Sequence, residues 1–437
     1  MEKINCALKI VDSWLSYYQF MRRIPGLSVG IVHKDKIIFK KGYGFSDLES
    51  KSRATHKTLY RVASISKLFT ATAIMQLVEK EELALDDLAC KYLPWLKSKE
   101  VTLRQLLTHS SGLNRDGDTS HWTDYNFPSL GQIKKHVSKG AKTYEPIEKF
   151  KYSNLGYGLL GRVIESASGL SYEEYVQKNI LEKVGMRNTY VDIKKDLSIA
   201  SGYGRNIPGR SLKKFKGIDT KALDSATGFV SNAEDLCKFM SAHFFINKLL
   251  SEKSRKEMQR VQWVEEDKEN PINWGIGFQI SKVEGVKLVG HGGHFPGFIT
   301  KIAFDGEFGV AILTNSLSAN TSELINGVFH TIHFIMNNFG AKAAKKSDLK
   351  KYEGRFYTES ADIEFVEINN SLNFIYPAFS MPLKFLSKLK KKKGNVFSIE
   401  TGSNFDYIGE DVEFEFDKSN KISKVKIGPN VALPFEK

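Results

Sequence analysis

The sequence predicts an α+β protein: a large unit mixing helices with antiparallel strands, followed by a small antiparallel β domain. Three observations carry the prediction. Residues 67–79 are helical in pattern yet apolar on most faces (Leu68, Phe69, Ala71, Ala73, Ile74, Leu77), which requires a core around them. Residues 286–290, 299–304 and 310–314 form successive strand-like runs. Near Gly340 the composition changes, and short alternating segments separated by Gly, Asn, Asp and Ser follow. With 437 residues, 41% hydrophobic and 26% charged, the chain suits one large domain plus a small one and is neither fibrous nor disordered.

The elements follow in order. Residues 4–22 read as an amphipathic helix with Ile4, Leu8, Val11, Leu15 and Tyr18 at helical spacing, ended by Pro25. Residues 27–32 and 37–39 flank a polar turn and read as a β-hairpin. After the apolar helix come helical patches and turns up to about residue 245, then the three strands, then a helix over 322–337. Residues 341–350 read as a linker, separating a domain at 1–340 from the small β domain at 351–437. Within the latter, 363–368, 372–376, 396–399, 412–416 and 422–427 are the expected strands, and the lysine run Lys388, Lys390–Lys393 reads as a hairpin tip.

The net charge of +14 does not point to nucleic acid. The segment from Lys346 on is nearly neutral, with 15 basic against 14 acidic residues, and the excess is scattered over the rest. No zinc-finger spacing, RNA-binding signature or basic heptad is present. Cys6, Cys90 and Cys237 suit neither a disulfide framework nor a zinc site, so reduced thiols are expected. Lys9 and Asp12 interrupt any signal-peptide core, and no run of about 18 apolar residues occurs. A cytoplasmic protein without a membrane span is the expectation. The sequence names no partner for the small β domain.

Two serines compete as nucleophile. Gly26-Leu27-Ser28-Val29-Gly30 matches G-x-S-x-G, but that motif works on a strand-to-helix turn. Here Ser28 falls inside a hairpin strand, flanked by small residues that permit close packing. Ser64-Ile65-Ser66-Lys67 is an S-x-x-K pattern that recurs at Ser211, Ser347, Ser387 and Ser423, so the pattern alone says little. Only Ser64 stands at the start of a long apolar helix, with Lys67 one turn on along the same face. A helix N-terminus offers unpaired N–H groups to a developing oxyanion, and apolar walls push a lysine toward a useful base. Tyr152-Ser153-Asn154 lies just before another apolar helix, and His291-Gly292-Gly293 ends an expected edge strand at 287–290.

With these motifs in this order, the sequence resembles the serine β-lactamase and penicillin-binding-protein superfamily, above all its class C-like branch of D-aminopeptidases, D-alanyl-D-alanine carboxypeptidases and β-lactamase-like esterases. The resemblance covers about residues 22–340 and extends to IPGLSVGIV, YRVASISKLFTATAIMQLVE, VTLRQLLTHSSGL, KYSNLGYGLLGRVIE, ATGFVSNAEDLCKFM, WGIGF and GHGGHFPGF. It implies an antiparallel sheet flanked by helices and joined to an all-helical subdomain, with the site at their junction. The C-terminal segment resembles, weakly, small barrel-like domains appended to some relatives. The resemblance makes Ser64 the acylated nucleophile, Lys67 the group that takes or relays its proton, and Tyr152 the general base that then protonates the leaving group. Asn154 would hold the substrate or the lysine. His291 would stand where many β-lactamases carry a lysine, charged only in part near neutral pH. Gly293 would let substrate lie along the strand edge, and the His294 backbone N–H would join that of Ser64 as oxyanion donor.

The resulting expectation is two-step acyl transfer on a small ester, peptide or amide, needing no metal and no cofactor. His291-x-x-His294 yields no ligand geometry. A β-lactamase or penicillin binder, taking a β-lactam, is the rival reading. A non-catalytic scaffold or sensor is a third, and the intact set of Ser64, Lys67 and Tyr152 argues against it.

Overall fold

Helix α1 (Glu2–Met21) buries Ile4, Leu8, Val11, Leu15 and Tyr18 along one stripe. The computed structural model describes residues 2–96, 100–264, 271–339, 348–402 and 407–435. They divide into two units: Arg22–Ile325, and Met1–Met21 together with Asn326–Lys437.

The first unit is built on a nine-stranded sheet. Its strands are β1 (Gly26–His33), β2 (Lys36–Asp47), β3 (Ser52–Arg53), β4 (Trp263–Val264), β5 (Asn273–Trp274), β6 (Gln279–Val283), β7 (Val286–Phe295), β8 (Phe298–Phe304) and β9 (Phe308–Thr314). The spatial order is β3-β2-β1-β9-β8-β7-β6-β5-β4, so the two ends of this unit meet where β1 pairs antiparallel with β9, Leu27 opposite Thr314. Both strands are buried almost throughout, as befits the middle of a covered sheet. Helix α2 (Ser66–Glu79) is buried continuously from Ser66 to Leu77. It packs against α3 (Asn154–Ser168), as an all-round apolar helix must. Helix α4 (Ala233–Phe244) lies so close to β1 that a side chain at Gly30 would collide with the Ala233 carbonyl and the Cys237 sulfur. Helix α5 (Thr321–Asn338) follows β9.

The second unit carries a closed eight-stranded antiparallel barrel: β10 (Gly354–Tyr357), β11 (Asp362–Ile368), β12 (Ser371–Ile375), β13 (Ser387–Lys393), β14 (Val396–Thr401), β15 (Asp411–Phe416), β16 (Ile422–Ile427) and β17 (Asn430–Pro434). Pairing of Phe356 with Pro434 closes it. Eight strands leave an interior that side chains fill, here Tyr352, Phe356, Phe365, Phe374, Phe397 and Phe414.

Three of these strands escape the alternation pattern. β10 and β17 are short, and β13 contains the lysine run. Ser387 and Leu389 point inward while the lysines stay exposed, so the run is the strand leading into the Gly394 turn and not only a hairpin tip. The structure also groups α1 with the barrel instead of with residues 22–340. Arg355 Nη2 donates to the Ser13 carbonyl and hydroxyl, each at 2.9 Å, Ser13 donates to Glu364, and Trp14 Nε1 donates to the Phe379 carbonyl at 3.2 Å. An amphipathic pattern reveals that a helix has an apolar face, but not which core covers it. The expected linker at 341–350 falls mostly at 340–347, outside the described residues.

Gly327 of α5 sits against the Trp14 ring and the Ser380 carbonyl, leaving no room for a methyl group. Gly327→Ala is therefore expected to destabilise this unit by about 1–3 kcal/mol through overpacking. A denaturant titration followed by tryptophan fluorescence checks this, and an unchanged midpoint would contradict the packing described.

Candidate active site

Ser64 lies in a 3₁₀ turn, Ala63–Ile65, directly ahead of α2 and not on the helix itself. The turn is held at both ends. Ala63 adopts a left-handed φ of 50°, which costs a non-glycine residue about 1–3 kcal/mol. Ser66 Oγ bridges the strained segment: it donates to the Ala63 carbonyl at 2.5 Å and accepts from the Phe229 N–H at 3.0 Å. Thr300 Oγ1 donates to the Val62 carbonyl at 3.1 Å and ties the turn to the sheet.

One helical turn on, Lys67 is wholly buried. Its Nζ lies 3.2 Å from Ser64 Oγ, 2.7 Å from Asn154 Oδ1 and 2.8 Å from the Ala226 carbonyl. Burial pushes the amine well below the usual lysine range; the Asp116 carboxylate opposes this and Arg115 adds to it. The Tyr152 ring centroid is 4.9 Å from Nζ, and the Ser64 hydroxyl is close enough to the phenol to act on its titration. Burial raises the phenol above its ordinary value, with the contact to Ser64 opposing. Hydroxyl, amine and phenol, up to 88 residues apart in the chain, thus meet at one point.

Asn154 is the first residue of α3, capped by the Ser153 hydroxyl, which accepts from the Gly156 N–H. Its Nδ2 donates to Asp116 Oδ1 at 2.6 Å while its Oδ1 faces Lys67, so the amide orientation is fixed from both sides. Asp116 stays below the usual carboxylate range. Its burial acts to raise it, but this is outweighed by His121, Asn154 and Trp122.

His291, Gly293 and His294 lie on β7, which runs on to Phe295 and is an interior strand. Its pairing with β6 stops at Gly290, however, so from His291 onward one side of β7 has no partner strand among the described residues. The Gly292 N–H points to that side and donates to Gln279 Oε1 at 3.3 Å. N–H direction alternates along a strand, so the His294 N–H points the same way. His291 departs from the expectation of partial charge. It is buried, and desolvation, with Lys67 adding and the Gly292 carbonyl opposing, pushes it down to about 3. Its Nδ1 is 2.6 Å from the Gly292 carbonyl and must be the donor there. That leaves Nε2 as a buried lone pair with no hydrogen-bond partner among the described residues. Gly293 has a second requirement: a side chain there would strike the Val62 carbonyl, so its absence lets the Ser64 turn press against the strand. His294 is exposed and, three positions from His291, points to the opposite face.

Ser28 lies inside β1, donating to the Thr55 carbonyl at 2.7 Å and bonded to the Tyr60 hydroxyl at 2.8 Å, with no exposure. It is structural.

Several residues at the site escaped the sequence reading. His109 stacks on Tyr152 with ring centroids 4.3 Å apart and accepts from the Ser153 N–H at 3.1 Å. Trp274 stands against His109, Phe150, Tyr152 and His291. Arg115 lies over the outer face of Tyr152 at 5.5 Å. His109 and Trp274 fall within recognisable segments, THSSGL and WGIGF. Ala226 opens the segment ATGFV, whereas Arg115 and Asp116 leave no local signal.

The Beta-lactamase family model matches residues 11–329. Protein flp of Staphylococcus aureus (strain MW2) is 27% identical over 333 residues, covering 74% of this chain and 66% of that protein. The teichoic acid D-alanine hydrolase of Staphylococcus aureus is 30% identical over 195 residues, covering 44% of this chain and 48% of that protein. The chain spans between 38% and 66% of the length of these curated relatives. Among solved structures, the octameric penicillin-binding protein homologue from Pyrococcus abyssi aligns with a TM-score of 0.67 at 25% identity, covering 98% of this chain and 99% of that one. The D-amino acid amidase from Ochrobactrum anthropi SV3 aligns with a TM-score of 0.65 at 22% identity over 75% of this chain and 99% of that one, a likeness of fold.

Because the folded value of His291 is about 3 against an ordinary 6.5, the unfolded chain binds the extra proton between them. The contribution of His291 to stability is full above pH 6.5 and falls away as pH drops toward 3. Ring resonances of His291 are expected to stay flat from about pH 5 to 9. An inflection near 6.5 that disappears in His291→Gln would contradict the buried neutral ring.

Proposed function

The chain belongs to the Beta-lactamase family, and we propose that it is a serine hydrolase that acts through an acyl-enzyme on small esters or amides of the D-amino-acid type. One observation carries the proposal: a wholly buried lysine, stripped of water, with its nitrogen 3.2 Å from a serine hydroxyl and 4.9 Å from the ring of a half-buried tyrosine.

The proton inventory sets the roles. A neutral Lys67 has two N–H groups and one lone pair. The two N–H groups hold Asn154 Oδ1 and the Ala226 carbonyl, which leaves the lone pair facing Ser64. Lys67 therefore takes the Ser64 proton as Oγ bonds to the substrate carbonyl carbon. Burial keeps Tyr152 protonated, so it serves first as acid and gives its proton to the leaving alcohol or amine, the reverse of the order read from the sequence. The proton on Lys67 then restores the phenol. Water hydrolyses the acyl-enzyme by the same groups in reverse. The N–H groups of Ser64 and His294 hold the oxyanion, each such donor contributing about 3–4 kcal/mol.

His291 bears on the substrate. A neutral ring provides no fixed positive charge for a β-lactam carboxylate. Its unpartnered Nε2 accepts a hydrogen bond and suits a leaving portion that carries an N–H or O–H donor. The teichoic acid D-alanine hydrolase among the relatives supports an ester of this kind.

A fluorophosphonate probe is expected to label the wild type and not Ser64→Ala, which should have no measurable turnover. Lys67→Arg should lose about a hundredfold to ten-thousandfold in kcat, because a guanidinium cannot give up its proton. In a panel of nitrophenyl esters, D-amino-acid amides and a chromogenic cephalosporin, the first two should be turned over and the cephalosporin poorly or not at all. Equal labelling of wild type and Ser64→Ala, or turnover confined to the cephalosporin, would refute the assignment.

A further inference from the structure

A cavity lies beside the catalytic groups, in the same unit. It has a volume of about 240 Å³ and is lined by Arg61, Ile193, Leu197, Phe215, Phe295 and Phe298, among others. Most of its lining residues are apolar, although polar and apolar surface are nearly balanced, and Arg61 among them is a buried guanidinium, 3% exposed. Nη1 is committed: it pairs with Asp192 Oδ1 and donates to the Gly228 carbonyl, each at 2.5 Å. Nη2 is buried and has no hydrogen-bond partner among the described residues. An unmet donor of this kind costs about 1–3 kcal/mol, more for a charged group. Lys216 also lines the cavity, and no acidic side chain does among the described residues. Apolar lining residues, an unsatisfied charged donor and a second cation together describe the complement of an alkyl chain ending in a carboxylate.

The position of the cavity relates it to the reaction. On β7, His291, Gly293 and Phe295 share one face and are all buried. His291 stands near Tyr152, Gly293 faces the Val62 carbonyl beside the Ser64 turn, and the Phe295 ring lies under the Arg61 guanidinium at 4.9 Å. Arg61 itself comes three residues before Ser64. Along the strand the cavity is thus one pleat repeat, about 7 Å, past the nucleophile turn and on the side away from His291. A substrate lying along the open edge of β7 with its leaving portion toward His291 directs its acyl portion toward Arg61.

We propose that this cavity is the acyl-side specificity subsite and that it takes an apolar chain of a few methylenes ending in a carboxylate, as in a dicarboxylic half-ester. The inference rests on the acyl-transfer reading above. It makes Arg61 a substrate-binding residue as well as a structural one, with Asp192 setting the orientation of the guanidinium.

The test compares kcat/KM for nitrophenyl hexanoate and mono-nitrophenyl adipate, which differ only in the chain terminus. The wild type should prefer the adipate by about tenfold. Because Arg61 also supports the fold, the variants are chosen at the rim. Ser198→Trp, which narrows the mouth, and Lys216→Glu, which reverses its charge, should each bring the adipate-to-hexanoate ratio close to one. In parallel, calorimetric titration with adipate itself reads the cavity without any turnover. Binding to the wild type that is lost in Ser198→Trp supports the subsite even if neither ester is cleaved, a result that would sink the catalytic reading alone. Ester turnover with no preference for adipate, or adipate binding unchanged in both variants, overturns the subsite and leaves the hydrolase standing.

Discussion

The burial of one amine organises the first unit. Lys67 has no exposure, and a lysine in that position either gives up its proton or must be met by acceptors on every N–H. The chain does some of both. Asn154, the Ala226 carbonyl and Ser64 come from three separate segments, and each is fixed by further contacts that have nothing to do with Lys67. Asn154 is set by the start of α3 and by Asp116. The turn holding Ala226 is set by Ser225, which donates to the Tyr157 carbonyl at 2.9 Å. The serine turn is set by Ser66, Thr300 and the left-handed Ala63. Removing the amine would leave those acceptors facing a dry cavity, so the same arrangement that depresses the lysine also rigidifies the nucleophile.

A buried amine so placed constrains its neighbours. His109 and His291 are both pushed below the ordinary histidine value, by desolvation first and by Lys67 next. Neither ring acts as a charge. His109 serves as an acceptor for the start of α3 and as a stacking surface for Tyr152. His291 keeps a buried Nε2 lone pair with no hydrogen-bond partner among the described residues. Strand β7 takes its shape from the same centre: Gly290 and Gly293 admit backbone where a side chain would collide, one against β8 and the other against the serine turn.

Much of this was legible in the sequence where a single element carried the information. An all-round apolar helix preceded by a serine and opening with a lysine announces a buried amine beside a hydroxyl. The β1 hairpin, the strands around residues 286–314 and the small β domain follow from alternation and turn residues. What was not legible depends on tertiary contact. The amphipathic face of α1 does not say that Ser13 and Trp14 meet the barrel. The charge state of His291 depends on desolvation and on Lys67, 224 residues away in the chain. Asp116 and Arg115 sit in a loop whose composition resembles many others.

The division of labour along β7 follows from these constraints. At its His291 end the strand offers a neutral acceptor, because a charge on the buried ring would be costly to desolvate. At its Phe295 end, one pleat beyond the serine turn, the positive charge of Arg61 is tolerated because Asp192 neutralises it and the aromatic face of Phe295 lies beneath it. A strand with a neutral acceptor at one end and a guanidinium at the other gives a substrate a preferred direction. In the proposed reaction the portion carrying a donor goes to His291 and the portion carrying an anion toward Arg61, with the scissile bond between them at Ser64. Orientation in this cleft is therefore an electrostatic consequence of where the fold can afford to bury charge.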